Sequence, residues 1–284
     1  MCSARFFMRF LMKRTAPFIH TAREPHSQHL LKTALVYRST VRELISRLRA
    51  DEASPEVVHA IRTHCRRLQA LLELYGDDQR ARVIARAVRR LSKLRALQVF
   101  RQYLVTIEVT QSDLALADGK LAKHVEKLRR GQAYEKIDRA VREDAIPQAS
   151  ASQAVLPDCL DVVRLKHRCR LQRLLKASRV APTRKRLHAL RLRLKTIRYQ
   201  SEWFEPEGVS GDRFLKRLIR LQSRLGRYEE LADFRRWGKR LGVPVRDRIE
   251  KDWKRARKRA RAVPGDLAWL PRAMGSQDFW RQSQ

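Results

Sequence analysis

The chain has 284 residues and carries 64 Lys+Arg against 30 Asp+Glu, a formal net charge of +34. Hydrophobic residues make up 43%, enough for a sizeable core, which excludes wholesale disorder. Only 10 Gly and 10 Pro occur, favouring long helices over a turn-rich β fold, and no apolar run of about 18 residues is present to form a transmembrane helix.

The first 15 residues, MCSARFFMRFLMKRT, are basic and amphipathic, but Arg9 interrupts the apolar run and argues against a secretory signal. Residues 1–27 read as a basic, flexible segment. Helical periodicity then predicts helices at about 28–50, 55–75, 78–105, 112–130, 157–178, 183–204, 212–225, 228–241 and 245–262. Ser54-Pro55-Glu56 is a start signal, and Pro182-Thr183 plays a similar part later. Gly76-Asp77-Asp78 and Glu205-Pro206-Glu207-Gly208 read as stops. Small residues at 144–156 suggest a linker between a first bundle (about 28–143) and a second (about 157–262); the tail at 263–284 has no clear period. Cys2, Cys65, Cys159 and Cys169 show no CxxC spacing, so neither a zinc site nor a disulfide framework follows, and a reducing cytoplasm suits them.

The sequence repeats internally. His59-Ala60-Ile61-Arg62 with Arg66 and Glu73 recurs as His188-Ala189-Leu190-Arg191 with Lys195 and Glu202, at a shift of 129. The following segment recurs at a shift of 134, pairing Arg82, Arg86, Arg90, Leu97 and Phe100 with Lys216, Arg220, Arg224, Leu231 and Phe234. Two related helical halves are the simplest architecture.

His59, Arg62, Arg66, Gln69 and Glu73 fall on one helical stripe, as do His188, Arg191, Lys195, Arg198 and Glu202. An apolar stripe runs beside each: Val58, Ile61, Cys65, Leu68 and Leu72, then Leu187, Leu190, Leu194, Ile197 and Ser201. A solvated face would interleave acids with bases to gain i,i+4 pairs, whereas like charges four apart cost a few tenths of a kcal/mol. Keeping that cost in both halves suggests an anion that offsets it; the other reading is a solvated face in a protein with 48 Arg among its 64 basic residues. A neutral imidazole at 59 or 188 can donate to a phosphate oxygen and becomes charged when an anion raises its pKa. His20, His26, His29, His64, His124 and His167 read as packing residues. Neither a nucleophile–histidine spacing, nor an HExxH, nor a GxxxxGK pattern occurs, so no enzymatic activity, metal or cofactor is expected.

Four segments carry a family resemblance: VVHAIRTHCRRLQALLELY (57–75), LSKLRALQVFRQYL (91–104), LHALRLRLKTIRYQSEWF (187–204) and LQSRLGRYEELADF (221–234). Over about residues 28–241 the chain resembles the conserved histidine α-helical domain (CHAD) family. The resemblance implies an all-α fold of two pseudo-symmetric antiparallel four-helix bundles around a basic central channel or cleft, and binding of inorganic polyphosphate, in some members at polyphosphate granules. By position it places His59, Arg62, Arg66 and Arg67 in a first motif and His188, Arg191, Lys195, Arg198 and Tyr199 in a second. Where the family has Gly followed by Arg-Asp-x-Asp, the first half has Ser92, Arg95, Ala96 and Gln98; Gly226 keeps the glycine in the second half. The region between 131 and 157 is short for a fourth helix of the first bundle, and no ExExK segment of a fused triphosphate-processing domain occurs, so a stand-alone domain is expected.

The expected function is therefore polyphosphate binding in the cytoplasm or at granules, through these motif residues together with Arg82, Arg86, Arg90, Arg95, Lys216, Arg220 and Arg224. Nucleic acid is the alternative partner, with the basic helix at 245–262 lying along a phosphate backbone.

Overall fold

In a computed structural model, residues 24–50, 53–142, 156–203, 213–243 and 246–275 are described, and every element among them is an α-helix. Helix α1 (Glu24–Arg49) is followed by α2 (Pro55–Leu74), whose start is set as the sequence predicts: the Ser54 hydroxyl accepts the Val57 amide at 3.2 Å and Pro55 occupies the first turn. Asp77 caps α3 (Asp78–Arg89) by accepting the Arg80 amide at 2.9 Å. Then come α4 (Ser92–Thr106), α5 (Gln111–Arg130), α6 (Ala133–Ala140) and α7 (Leu156–Val180). Thr183 caps α8 (Arg184–Glu202), and α9 (Arg213–Leu241), α10 (Arg246–Asp266) and the single turn α11 (Leu270–Ala273) complete the order.

Two apolar clusters hold these helices. Leu30, Ile45, Ile61, Leu71, Ile84, Val88 and Ile137 belong to one; Leu171, Leu190, Ile197, Leu218, Leu225 and Ala260 belong to the other. The clusters trade elements. Phe100 and Leu104, on the second half of α4, are buried in the later cluster, while Trp203, at the end of α8, is buried in the earlier one. Accordingly α2 packs on α8 and α4 packs on α9. These two contacts place the repeated segments face to face.

The structure redraws four helices. The single helix expected at 78–105 is broken at Arg90–Leu91, where the amides of both residues bond three residues back instead of four. Leu91, wholly buried, is the anchor of that turn. Conversely, 212–225 and 228–241 are one continuous helix, α9, with Gly226 inside it. Helix α6 was not legible as a helix because it spans only eight residues, yet Tyr134 and Ile137 are buried. Helix α10 passes through Pro264 to Asp266, and Leu267, Leu270 and Met274 beyond it are wholly buried in the later cluster. Their spacing of three and four is a helical face too short to register as a period.

The segment 1–23, the linker residues 143–155, the stop signal at 205–208, His20, Cys2 and the end of the tail (276–284) lie outside the described residues, as do the side chains of His26, His29 and Cys159. Among the described residues, no helix is long and apolar enough to cross a membrane.

Candidate functional site

The apolar stripe of α2 (Val58, Ile61, Cys65, Leu68, Leu72) and that of α8 (Leu187, Leu190, Leu194, Ile197, Ser201) are all buried. Burying those seams turns the neighbouring stripe of each helix toward the other. Between them lies a cleft of about 780 Å³, walled by α2, α3 and α4 on one side and α8 and α9 on the other. His59, Arg62, Arg66 and Arg95 line the first wall; His188, Arg191, Lys195 and Tyr199 line the second.

Each of these groups is held differently. The Arg62 Nη1 donates to Ser92 Oγ at 2.8 Å and to the Val88 carbonyl at 3.3 Å, the carbonyl beside the α3–α4 break. Arg66 donates to Gln69 Oε1 at 2.6 Å, and Gln69 in turn donates to Glu73 at 2.8 Å. Arg95 donates to the Pro55 carbonyl at 3.2 Å. The Nε of Arg191 is shielded from solvent and has no hydrogen-bond partner. Lys195 Nζ stands 5.5 Å from the Tyr199 ring, and Arg198 stacks on the same ring at 4.4 Å.

Crowding of like charge in a partly dry cleft depresses the basicity of the cations. Burial, then Arg191, Arg66, Arg62 and Arg198, brings Lys195 down to about 7. Burial, then Arg66 and Arg95, brings Arg62 down to about 10. Arg66 and Arg95 are lowered mainly by burial, and His59 by burial followed by Arg95 and Lys195. Such a cluster binds an anion through charges that have already lost part of their hydration.

Four carboxylates also face the cleft. Burial pushes Glu229 up, but hydrogen bonds from His188 and Arg184 outweigh it and hold it below the ordinary value. Arg184 spans Glu229 at 3.0 Å and Asp233 at 2.9 Å, and Asp233 also pairs with Arg236. Burial raises Glu230 and Glu73. At the repeat shift of 134, Glu229, Glu230 and Asp233 correspond to Arg95, Ala96 and Val99. All six line the cleft, so its α4 wall is cationic or neutral where its α9 wall is acidic.

The cleft does not gather every expected residue. Arg67 pairs with Glu202 at 3.2 Å, outside the lining, and Arg198 pairs with the same carboxylate at 3.0 Å. Arg82, Arg86 and Arg90 stand exposed, Arg82 beside Asp78 at 4.0 Å, because α3 buries Ala81, Ile84 and Val88 and thereby points Ala85 and Arg89 into the cleft. Lys216 and Arg220 are exposed on α9, and Arg224 pairs with Asp266 at 2.7 Å. Sequence reasoning missed Arg89 and the three α9 carboxylates; the reversed charge at the 134 shift was the available signal for the latter.

Among the described residues, no group of three or more His, Cys, Asp and Glu is placed to hold a metal ion. No curated protein matches the chain. The sequence model of the CHAD domain matches residues 37–239.

Proposed function

The chain belongs to the CHAD domain family, and on that premise we propose that its cleft binds inorganic polyphosphate without turning it over. In this reading the two repeated segments are the cores of two pseudo-symmetric bundles, each presenting one cationic helix to a common ligand. The observation that carries it is the convergence of Arg62, Arg66, Arg191 and Lys195 on one cleft with depressed basicity in three of them. A phosphate chain has no bases, so it needs spaced cations and no stacking platform. The α2 wall from His59 to Gln69 offers about 15 Å of helix at 1.5 Å per residue.

Binding without hydrolysis accords with the state of the carboxylates. Glu229 and Asp233 are engaged by Arg184, and Glu73 accepts from Gln69, so metal-assisted chemistry would first have to break these contacts. The setting that fits this ligand is the cytoplasm, including polyphosphate granules.

The test is calorimetric titration of long-chain polyphosphate into the wild type and into Arg191→Glu/Lys195→Glu. Two carboxylates placed among the remaining cations are compatible with folding, so helicity is expected to persist while binding is lost. Undiminished affinity in this variant overturns the site. Nucleic acid that displaces polyphosphate at equal phosphate concentration would favour the other ligand, and phosphate release in the presence of Mg²⁺ would show turnover.

A further inference from the structure

A second cavity, of about 360 Å³, opens between the turn that leads into α8 and one face of α10. It is lined by Thr183, Arg184, Tyr228, Trp253, Arg257 and Arg261. Its α10 residues lie beyond the family match, which ends at 239. Arg257 and Arg261 stand one turn apart, and among the described residues neither has a carboxylate or hydrogen-bond partner. Arg235, which shares the Trp253 ring with Arg257, is by contrast paired with Glu250 at 2.7 Å. The Trp253 ring fixes the Arg257 guanidinium 5.2 Å from its centroid and holds Arg235 at 4.1 Å, which positions cationic forks without using their N–H donors. The indole Nε1 of Trp253 is itself shielded from solvent and unpartnered.

Arg184 links this cavity to the cleft. It lines the cavity, and its ion pairs run to Glu229 and Asp233, which line the cleft. The α8 N-terminus adds the positive end of a helix dipole to the same place.

We propose that the Arg184–Arg257–Arg261 cavity is a second anion subsite that takes phosphoryl groups of the same polyphosphate where it leaves the cleft. This rests on the cleft being the polyphosphate site. A chain occupying both would neutralise two cations that have no counter-charge among the described residues, and Glu229 and Asp233, which line the cleft, are already engaged by Arg184.

The test measures affinity for tripolyphosphate and for long-chain polyphosphate over a range of salt, in the wild type, in Arg257→Gln/Arg261→Gln, in the single variant Arg261→Gln and in Lys254→Gln/Lys258→Gln on the exposed side of the same helix. The double variant is expected to weaken long-chain binding about tenfold and to make the dependence on salt shallower by about 1.5, the scale of two lost phosphate contacts, with a smaller loss in Arg261→Gln and tripolyphosphate binding unchanged. Long-chain affinity and salt slope equal to wild type overturn the subsite. So does an equal loss in the lysine control, which would reduce the effect to net charge. Failure of the wild type to bind any polyphosphate would instead remove the cleft reading, and the subsite with it.

Discussion

Arg62 and Ser92 meet at 2.8 Å where the third and fourth helices part. At the repeat shift the partner of Ser92 is Gly226, which sits inside an unbroken α9 with Arg191 against it; a Cβ there would stand 3.5 Å from Arg191 Nε, an ordinary contact. The same register therefore serves two arginines in two ways. In the first half the guanidinium is tied to a hydroxyl and to the Val88 carbonyl beside the helix break. In the second it lies over a glycine with its Nε unpartnered.

Ser92→Ala removes one of the two acceptors of Arg62. The expected cost is about 1 kcal/mol of stability, in the range of a hydrogen bond to a charged group reduced by partial exposure. Chemical denaturation reads it directly. Polyphosphate affinity is expected to stay within a few-fold, because Arg62 keeps its charge and the Val88 carbonyl; a loss as large as that of Arg191→Glu/Lys195→Glu would mean that Ser92 orients the site.

Lys195 makes the site sensitive to pH. Its folded pKa is about 7 against an ordinary 10.5, so between these values the unfolded chain holds a proton that the folded chain lacks. Stability therefore rises with pH across that window, and the penalty for the buried charge is complete below pH 7. Lys195→Met is expected to be more stable than the wild type at pH 6, with the advantage shrinking as pH approaches 10. A bound polyanion favours the charged amine, so binding at pH 8 is expected to take up protons and to weaken as pH rises. Calorimetry in two buffers of different ionisation enthalpy checks the uptake; heats that do not depend on the buffer would show that Lys195 stays out of the ligand's field.

The cleft's α2 and α8 walls were legible in the sequence because an apolar seam and a cationic seam on one helix are locked at a fixed angle. Burying Ile61 and Leu68 leaves Arg62 and Arg66 little choice of direction, and Leu190 with Leu194 does the same for Arg191 and Lys195. The α3 and α9 stripes were not legible in this way. Spacing by four places Arg82, Arg86 and Arg90 on one face, but which face looks into the cleft depends on the packing of Ile84 and Val88, and that packing selects Arg89. The acidic character of the α9 wall was equally hidden, since Glu229 and Asp233 enter the cleft only once α9 lies along α8 and Arg184 reaches across. The break at Leu91 carries no Pro or Gly, so nothing local announced it.

The two apolar clusters are joined by Trp203. It belongs to the earlier cluster although it ends α8, it is 6% exposed, and its Nε1 donates to the Arg67 carbonyl at 3.1 Å. Arg67 then pairs with Glu202 at 3.2 Å. Trp203→Ala is expected to cost about 3–5 kcal/mol, the range for emptying a buried aromatic site, and to separate the unfolding of the two clusters. Trp203→Phe, which keeps the ring and loses the donor, is expected to cost about 1 kcal/mol. Urea unfolding followed by both circular dichroism and tryptophan fluorescence distinguishes these outcomes: coincident transitions in Trp203→Ala would show that α2, packed on α8, holds the halves together without this residue.

His167 sets the acid limit. It is 3% exposed on α7, and Arg193 donates to its Nδ1 at 2.8 Å, which keeps that nitrogen unprotonated. Burial, reinforced by Arg193, brings its pKa down to about 3, against an ordinary 6.5 in the unfolded chain. Between those values the unfolded state binds a proton that the folded state refuses, so stability falls as pH drops below 6.5, by up to about 1.4 kcal/mol per pH unit for this one group. His59, His64 and His124 are shifted in the same direction and add to the slope. His167→Gln keeps an acceptor for Arg193 but cannot titrate, so its denaturation midpoints between pH 6.5 and pH 4 are expected to decline less steeply than those of the wild type. Parallel curves would assign the acid sensitivity to the other histidines. The cleft histidine His59 would then be the first to test with polyphosphate present, because an anion that favours its charged form would flatten the slope from the ligand side.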